Sequence, residues 1–134
     1  MLKDLIIIGG GPAGITAGIY AARYKLKTLM ITKELGGYLS HIHLIENYPG
    51  FPRISGLELA KKLEEHLKNY DVEIKQDEII GIRKDKDKFI VNTNKEKFEA
   101  KKIILALGSQ KRKLNLENEE KFLGKGVSYC ATCD

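Results

Sequence analysis

The stretch DLIIIGGGPAG, residues 4–14, decides the fold class of this 134-residue chain. The apolar run that ends at Ile8 is typical of a strand buried on both faces of a parallel sheet. A G-x-G-x-x-G pattern follows it directly at Gly9, Gly11 and Gly14. Pro12 suits the first position of a helix, because its φ is fixed and it has no N–H to leave unpaired. The stretch therefore predicts a strand, a glycine turn and a helix, in that order.

Each glycine of this pattern has a separate task in dinucleotide binding. Gly9 makes the tight turn, Gly11 lets the backbone approach a pyrophosphate, and Gly14 lets helix and strand pack closely. The free N–H groups and the positive dipole end of the helix then face the diphosphate. A second strand is predicted at KTLMIT, residues 27–32. Together these segments make a β-α-β unit.

The end of the second strand does not decide which dinucleotide binds. An acid usually closes such a unit by binding a ribose hydroxyl, and Glu34 lies twenty residues beyond Gly14. Thr32 offers a hydroxyl for the same task. Lys33 would instead suit the 2′-phosphate of NADP. All three alternatives stay open on the residues alone.

The rest of the chain predicts one more helix and a β-meander. Residues 36–54 are loop-like, and residues 55–70 form a helix in which Ser55 and Glu58 make a capping box. Residues 109–126 are polar and predict a linker that leaves the domain. Strands are predicted at residues 72–75, 78–84, 88–93, 97–100 and 102–107, the middle three forming the meander.

The composition is that of a soluble globular protein, with 43% hydrophobic and 31% charged residues. The net charge of +5 raises nucleic-acid binding as an alternative. The lysines are interleaved with acids, however, and only residues 111–113 form a basic cluster, so a solvated surface is favoured over a nucleic-acid interface. The sequence contains no apolar run of membrane-spanning length, and its start does not resemble a signal peptide. We therefore expect a cytoplasmic protein without a membrane partner.

Both cysteines lie in the last five residues, as Cys130 and Cys133 of a Cys-x-x-Cys motif. This spacing in a cytoplasmic chain indicates redox chemistry or a metal. Reducing a disulfide requires an attacking thiolate, a resolving thiol and a proton source, and Asp134 adds a carboxyl beside the pair. Zinc held by the cysteines with His41 and His43 is the alternative. The two histidines are closer in sequence than zinc-binding pairs usually are, so we expect no metal site.

The whole chain resembles the amino-terminal part of the low-molecular-weight thioredoxin reductases. The segments that carry the resemblance, in order, are DLIIIGGGPAG, KTLMIT, GGYL, IENYPGFP, KKIILALG and GKGVSYCATCD, and SYCATCD is the most specific. The resemblance implies the α/β fold of flavoproteins with two dinucleotide-binding domains, a Rossmann-like parallel sheet flanked by helices and a three-stranded β-meander. Residues 1–113 would be the FAD-binding domain. Residues 114–134 would be a linker and the first residues of the NADPH-binding and redox domain.

The resemblance also implies FAD at the first glycine turn, which answers the question left open by the second strand. Tyr38 and Leu107 stand where the family usually has glutamine and threonine. The positions that match the family's FAD contacts are Gly9, Gly11, Pro12, Ala13 and Gly14 at the diphosphate, Thr32 or Glu34 at the adenosine ribose, Ile79 at the adenine, Gly36, Gly37, Tyr38, Leu39 and Asn47 on the flavin side, and Ala106, Leu107 and Gly108 under the cofactor.

The activity that the resemblance implies is thioredoxin-disulfide reduction. Electrons would pass from NADPH through FAD to Cys130 and Cys133, and then to thioredoxin or a similar disulfide protein. Cys133 would face the flavin, Cys130 would attack thioredoxin, and Asp134 would protonate the leaving thiolate. The family is usually homodimeric.

The family's NADPH motif is not among these 134 residues. We therefore expect the chain to be part of a longer reductase, or one half that works with a separate carboxy-terminal chain, and to be inactive by itself. Two alternatives remain open: a module that binds FAD or ADP without turnover, and a flavoprotein driven by another donor such as ferredoxin.

Overall fold

The structure, a computed structural model, describes residues 1–109 and 112–129 and is built on a six-stranded mixed sheet. The strands are β1 Lys3–Gly10, β2 Thr28–Leu35, β3 Glu73–Gln76, β4 Ile79–Asp85, β5 Lys88–Thr93 and β6 Lys97–Leu105. The helices are α1 Pro12–Arg23, α2 Gly56–Lys68 and α3 Glu119–Phe122, with a 3₁₀ helix at Gly37–His41. The strand order is β3-β2-β1-β6-β5-β4. No helix within these residues is both long and apolar enough to span a membrane.

Strand β1 is covered on both faces, which explains its continuous apolar run. Leu5 and Ile7 pack in one buried cluster with residues of α1 and α2. Ile6 and Ile8 pack in a second cluster on the opposite face, with Val91 of β5 among its members. The pairing of β1 with β2 and β6 is parallel. The predicted arrangement, a parallel sheet between helices and a meander, is therefore confirmed.

The meander differs from the prediction at its last strand. Residues 97–100 and 102–107 were expected to form two strands, but β6 runs unbroken through Lys97–Leu105. Ala100, which is fully buried, pairs antiparallel with Phe89 of β5 and parallel with Lys3 of β1. The expectation of two strands was wrong, because no glycine or proline interrupts this stretch. The single strand β6 therefore pairs with β5 of the meander and also with β1 of the parallel sheet.

Helix α2 begins as the sequence predicts. Ser55 is its N-cap, and the Ser55 Oγ accepts a hydrogen bond of 3.1 Å from the Glu58 backbone N–H. Leu59 and Leu67 are almost fully buried, and Leu63 packs beside them. The apolar stripe thus fixes which face of the helix meets the sheet.

Replacing Ser55 with alanine should lower the free energy of unfolding by about 1 kcal/mol, because an N–H of the first turn of α2 loses its acceptor. Ser55→Asp, which restores an acceptor, is the matched control and should keep the wild-type value. Urea denaturation followed by circular dichroism measures both variants. Equal losses in the two would show that the hydroxyl does not act as a cap.

Asp4 of β1 links its own strand to β6 and to the residue that precedes β2. Its Oδ1 accepts a hydrogen bond of 2.7 Å from Lys101 Nζ, and its Oδ2 accepts one of 3.0 Å from the Lys27 backbone N–H. The Lys101 ammonium, and then the Lys27 N–H, hold the pKa of Asp4 below its ordinary value of 3.8. Because the pKa is lowered by folding, the stabilisation is present above pH 3.8 and is lost as the pH falls through the folded-state pKa.

Replacing Asp4 with asparagine should therefore lower the free energy of unfolding at neutral pH, and this loss should become smaller in acid. The difference in unfolding free energy between wild type and Asp4→Asn should be steady from about pH 7 to about pH 5 and should decline as the pH falls further, to about pH 2.5. Urea denaturation at a series of pH values tests this. A difference that stays constant over that range would contradict the assigned role of Asp4.

Candidate functional site

Three of the predicted site segments meet at the carboxyl ends of β1, β2 and β6. The Gly36 N–H donates a hydrogen bond of 2.8 Å to the carbonyl of Gly10. The Ala106 N–H donates one of 2.8 Å to the carbonyl of Ile8. Ligands of open α/β sheets bind at this edge, outside the carboxyl ends of parallel strands. The fold therefore brings together glycine turns that lie far apart in the sequence.

Gly9 and Gly14 are required by packing at this edge. Gly9 has a φ of +109°, and a Cβ there would lie 2.1 Å from the carbonyl oxygen of Ala106. A Cβ on Gly14 would lie 1.9 Å from the carbonyl oxygen of Gly9. No side chain fits at either distance, so the turn and the start of α1 can pack this closely only with glycine.

Gly11 differs, because the space beside it is open. A Cβ on Gly11 would meet only the Gly36 carbonyl oxygen, at 4.0 Å. Gly11 is also the N-cap of α1, where no side chain caps the helix and no acid lies in the first turn. Gly37, with a φ of +55°, lies against it: a Cβ there would be 3.3 Å from the Gly11 Cα. Two glycine turns thus border an uncapped helix N-terminus, which fits the diphosphate of a dinucleotide.

Thr32, Lys33 and Glu34, the candidates for the ribose contact, have different surroundings at the end of β2. The strand extends to Leu35, so Glu34 lies within it. The Thr32 side chain is buried, and its hydroxyl donates a hydrogen bond of 2.6 Å to the Glu34 carbonyl at a shift of register between β1 and β2. Lys33 Nζ lies 2.6 Å from Glu78 Oε1. This geometry favours the exposed carboxylate of Glu34 over Thr32 as a ribose ligand.

His41, one of the two histidines of the zinc alternative, lies beside Glu34 and Tyr38. His41 Nε2 lies 3.3 Å from Glu34 Oε1, and its ring is 6.3 Å from the ring of Tyr38. Within residues 1–109 and 112–129, no group of three or more His, Cys, Asp or Glu residues could hold a metal ion. Cys130, Cys133 and Asp134 lie outside the described residues, so the redox motif and its zinc alternative stay predictions.

The remaining predicted contacts divide into exposed and packed positions. Leu39 packs against the cluster of Ile45, Ile54 and Leu59. Ile79 packs against the cluster that contains Ile6, Ile8 and Val91. These two side chains support the loops that carry them. The exposed positions are Pro12, Ala13, Tyr38, Asn47, Leu107 and Gly108.

The sequence analysis missed two small residues of α2 that pack against the segment around Gly36 and Gly37. A Cβ on Gly56 would lie 2.0 Å from the Leu39 carbonyl oxygen. A Cβ on Gly36 would lie 2.7 Å from the Cβ of Ala60. Gly56 and Ala60 are four residues apart, so both lie on one face of α2. This small-residue spacing was the signal available in the sequence.

Two relatives with similar sequences cover almost the whole of this chain. A 34.2 kDa protein in the rubredoxin operon of Clostridium pasteurianum is 45% identical over 133 residues, which are 98% of this chain and 43% of that protein. The thioredoxin reductase of Bacillus subtilis strain 168 is 40% identical over 134 residues, 99% of this chain and 42% of the relative.

Solved structures show the same similarity in three dimensions. Thioredoxin reductase from Lactococcus lactis, in its FR conformation, matches with a TM-score of 0.86 and 42% identity, over 98% of this chain and 44% of that one. A ferredoxin-flavin thioredoxin reductase from Clostridium acetobutylicum matches with a TM-score of 0.76 and 39% identity, over 99% and 46%.

The chain thus spans less than half the length of each of these proteins. The two structural matches agree with the domain architecture that the family resemblance implies. The family model of the pyridine nucleotide-disulphide oxidoreductases matches residues 3–134. This chain belongs to the pyridine nucleotide-disulphide oxidoreductase family.

Proposed function

We propose that this chain is the FAD-binding and dithiol part of a thioredoxin-disulfide reductase. The observation that carries the proposal is the open, uncapped N-terminus of α1 at Gly11, bordered by the turn at Gly36 and Gly37. The named relatives support the choice of thioredoxin as the disulfide substrate. For the complete enzyme we further propose NADPH as the donor, a homodimeric state and a cytoplasmic location.

In this proposal the residues at the strand ends bind and orient the cofactor. The backbone N–H groups of Ala13 and Gly14 would meet the diphosphate, because α1 directs its positive dipole end there. Glu34 would accept a hydrogen bond from a ribose hydroxyl. When bound, FAD would supply a two-electron carrier between a donor and the dithiol. Residues 1–113 would form this domain, and residues 114–134 the start of the next.

The dithiol would reduce thioredoxin by two exchange steps. The Cys130 thiolate would attack one sulfur of the thioredoxin disulfide, forming a mixed disulfide and releasing a thioredoxin thiolate. Asp134 would give that thiolate its proton. Cys133 would then attack the Cys130 sulfur and release the second thioredoxin thiol. Two electrons leave the chain, and Cys130 and Cys133 end as a disulfide.

This half-reaction can be tested without any donor. The chain is reduced with dithiothreitol, desalted and mixed with oxidised thioredoxin, and the thiols of each protein are counted by alkylation and mass spectrometry. We expect thioredoxin to gain two thiols for each chain oxidised. If thioredoxin stays oxidised while a small aromatic disulfide is reduced, the chain has a reactive dithiol but thioredoxin is not its substrate.

The Clostridium acetobutylicum structure favours a second candidate, in which ferredoxin is the donor. The two candidates differ in what reduces the FAD-loaded protein. NADPH and reduced ferredoxin are added separately, under anaerobic conditions, to the complete FAD-loaded enzyme of which this chain would be part, and the flavin absorbance is followed. Bleaching by ferredoxin alone would favour the second candidate. Bleaching by NADPH would favour the first.

A further inference from the structure

Lys33 and Glu34 are neighbours of opposite charge near the end of β2, beside the proposed ribose contact. A lysine at this place would favour a phosphate on the 2′ position of the adenosine. A carboxylate would favour a free 2′-hydroxyl and would repel a 2′-phosphate. Both side chains are exposed, so the partners that the structure gives them decide which charge a ligand meets.

Lys33 is held by the turn that joins β3 to β4. Its Nζ lies 2.6 Å from Glu78 Oε1. Its carbonyl accepts a hydrogen bond of 2.9 Å from Gln76 Nε2. The Asp77 backbone N–H donates one of 3.0 Å to the carbonyl of the preceding residue, Thr32. The turn is therefore bound to the backbone of β2, and its carboxylate directs the Lys33 ammonium toward the turn.

Glu78 is itself fixed within this turn. Its backbone N–H donates a hydrogen bond of 2.8 Å to Asp77 Oδ1, and its carbonyl accepts one of 3.1 Å from the Asn94 N–H. The pair with Lys33 is open to solvent, since 66% of the Lys33 side chain and 53% of the Glu78 side chain are accessible. An exposed ion pair adds little to the stability of a fold. We therefore expect its effect on a charged ligand at the strand end and not on folding.

The Glu34 carboxylate has an imidazole beside it. His41 Nε2 lies 3.3 Å from Glu34 Oε1. At about pH 8 an imidazole is neutral, so the carboxylate keeps its negative charge there. Glu34 also lies two residues before Gly36, whose N–H is bonded to the carbonyl of Gly10 in the glycine turn. A phosphate on the ribose would therefore approach a negative charge.

We propose that Glu78 is a positioning residue that, by holding Lys33, makes the site select adenosine with a free 2′-hydroxyl over adenosine with a 2′-phosphate. This inference rests on the proposed function, because it concerns the ribose end of the same dinucleotide site. While Glu78 holds the ammonium, a 2′-phosphate meets the Glu34 carboxylate and is repelled. Without Glu78, the Lys33 ammonium can pair with the phosphate. The selection would keep NADPH, the proposed donor, out of the FAD site.

The test compares the affinities of the whole chain for ADP and for 2′-phospho-ADP, which differ only at the 2′ position. Both are measured by calorimetry at low ionic strength and about pH 8. The wild-type chain should bind ADP at least about tenfold more tightly, because like charges face each other in the other complex. Glu78→Gln should reduce this preference about fivefold, the upper end for an exposed ion pair. Adding Lys33→Met to Glu78→Gln should restore the wild-type preference, because the gained cation is removed.

Glu96→Gln is the matched control, because Glu96 also pairs with a lysine at the surface, Lys75, at 3.4 Å. It makes the same change in net charge and should keep the wild-type preference. A merely structural role of Glu78 would change both affinities by one factor and leave their ratio as it was. An unchanged ratio in Glu78→Gln, or an equal change in Glu96→Gln, would overturn this inference while ADP binding still supported the proposed function. A wild-type chain that binds neither nucleotide would overturn both.

Discussion

Replacing Gly9 with alanine is expected to lower the free energy of unfolding by about 2–5 kcal/mol. The new Cβ would lie 2.1 Å from the Ala106 carbonyl oxygen, and overpacking of this kind costs about 1–3 kcal/mol. The φ of +109° adds to this cost, since left-handed backbone costs an L-residue about 1–2 kcal/mol. Ordinary domains are stable by only about 5–15 kcal/mol, so the variant should lose a large share of its stability.

Gly81→Ala is the matched control for this variant. Gly81 lies in β4, its φ is outside the left-handed region, and a Cβ there would be 3.9 Å from Asn92 Nδ2, an ordinary contact. Urea denaturation should give Gly81→Ala at least wild-type stability and a lower midpoint for Gly9→Ala. Equal midpoints for the two variants would show that the turn at Gly9 relaxes to admit a side chain.

Replacing Cys133 with serine is expected to abolish turnover with thioredoxin and to trap the intermediate. Cys130 would still attack the thioredoxin disulfide, but without Cys133 the mixed disulfide can only revert through the thioredoxin thiol that the attack released. Alkylation of that released thiol blocks the reverse step, so a covalent complex should accumulate and disappear on addition of dithiothreitol. Non-reducing electrophoresis and intact mass measure it.

Cys130→Ser is the control for the assigned order of attack. It keeps Cys133 but removes the proposed nucleophile, so it should form little complex. A complex of equal amount in both variants would mean that either thiol attacks. FAD binding should be the same in both variants and in wild type, since neither sulfur lies in the glycine turns. Loss of FAD binding in Cys133→Ser would count against the separation of the two sites.

Local rules were enough to predict the start of the fold. The positive φ of Gly9 and the missing N–H of Pro12 act on immediate neighbours, although the close contact of Gly9 with the distant Ala106 does not. The cap at Ser55 is equally local, since its partner is three residues away. The continuous apolar run of β1 also predicted cover on both faces, and the structure supplies helices on one face and the meander on the other.

Features that depend on distant partners were not predictable in this way. The continuity of β6 follows from Ala100 pairing with two different strands. The carbonyl partner of the Thr32 hydroxyl is present because of the shift of register near Glu34, which local sequence does not reveal. Glu119 resembled any charged residue of a linker, but it is buried, and its carboxylate accepts a hydrogen bond from the hydroxyl of Tyr129, ten residues away. In each case the prediction would have required knowledge of the tertiary contacts of the residue.

The most direct test of the account is a titration of the chain with FAD. We expect saturable binding with one FAD per chain, measured by quenching of flavin fluorescence, and competition by ADP. Gly11→Val should still fold, because its Cβ is in open space and its φ is −75°, although valine is a poorer N-cap than glycine, and it should weaken FAD binding at least tenfold by filling the space for the diphosphate. A wild-type chain that folds and takes up no FAD, or a Gly11→Val chain that binds FAD equally well, would contradict the account.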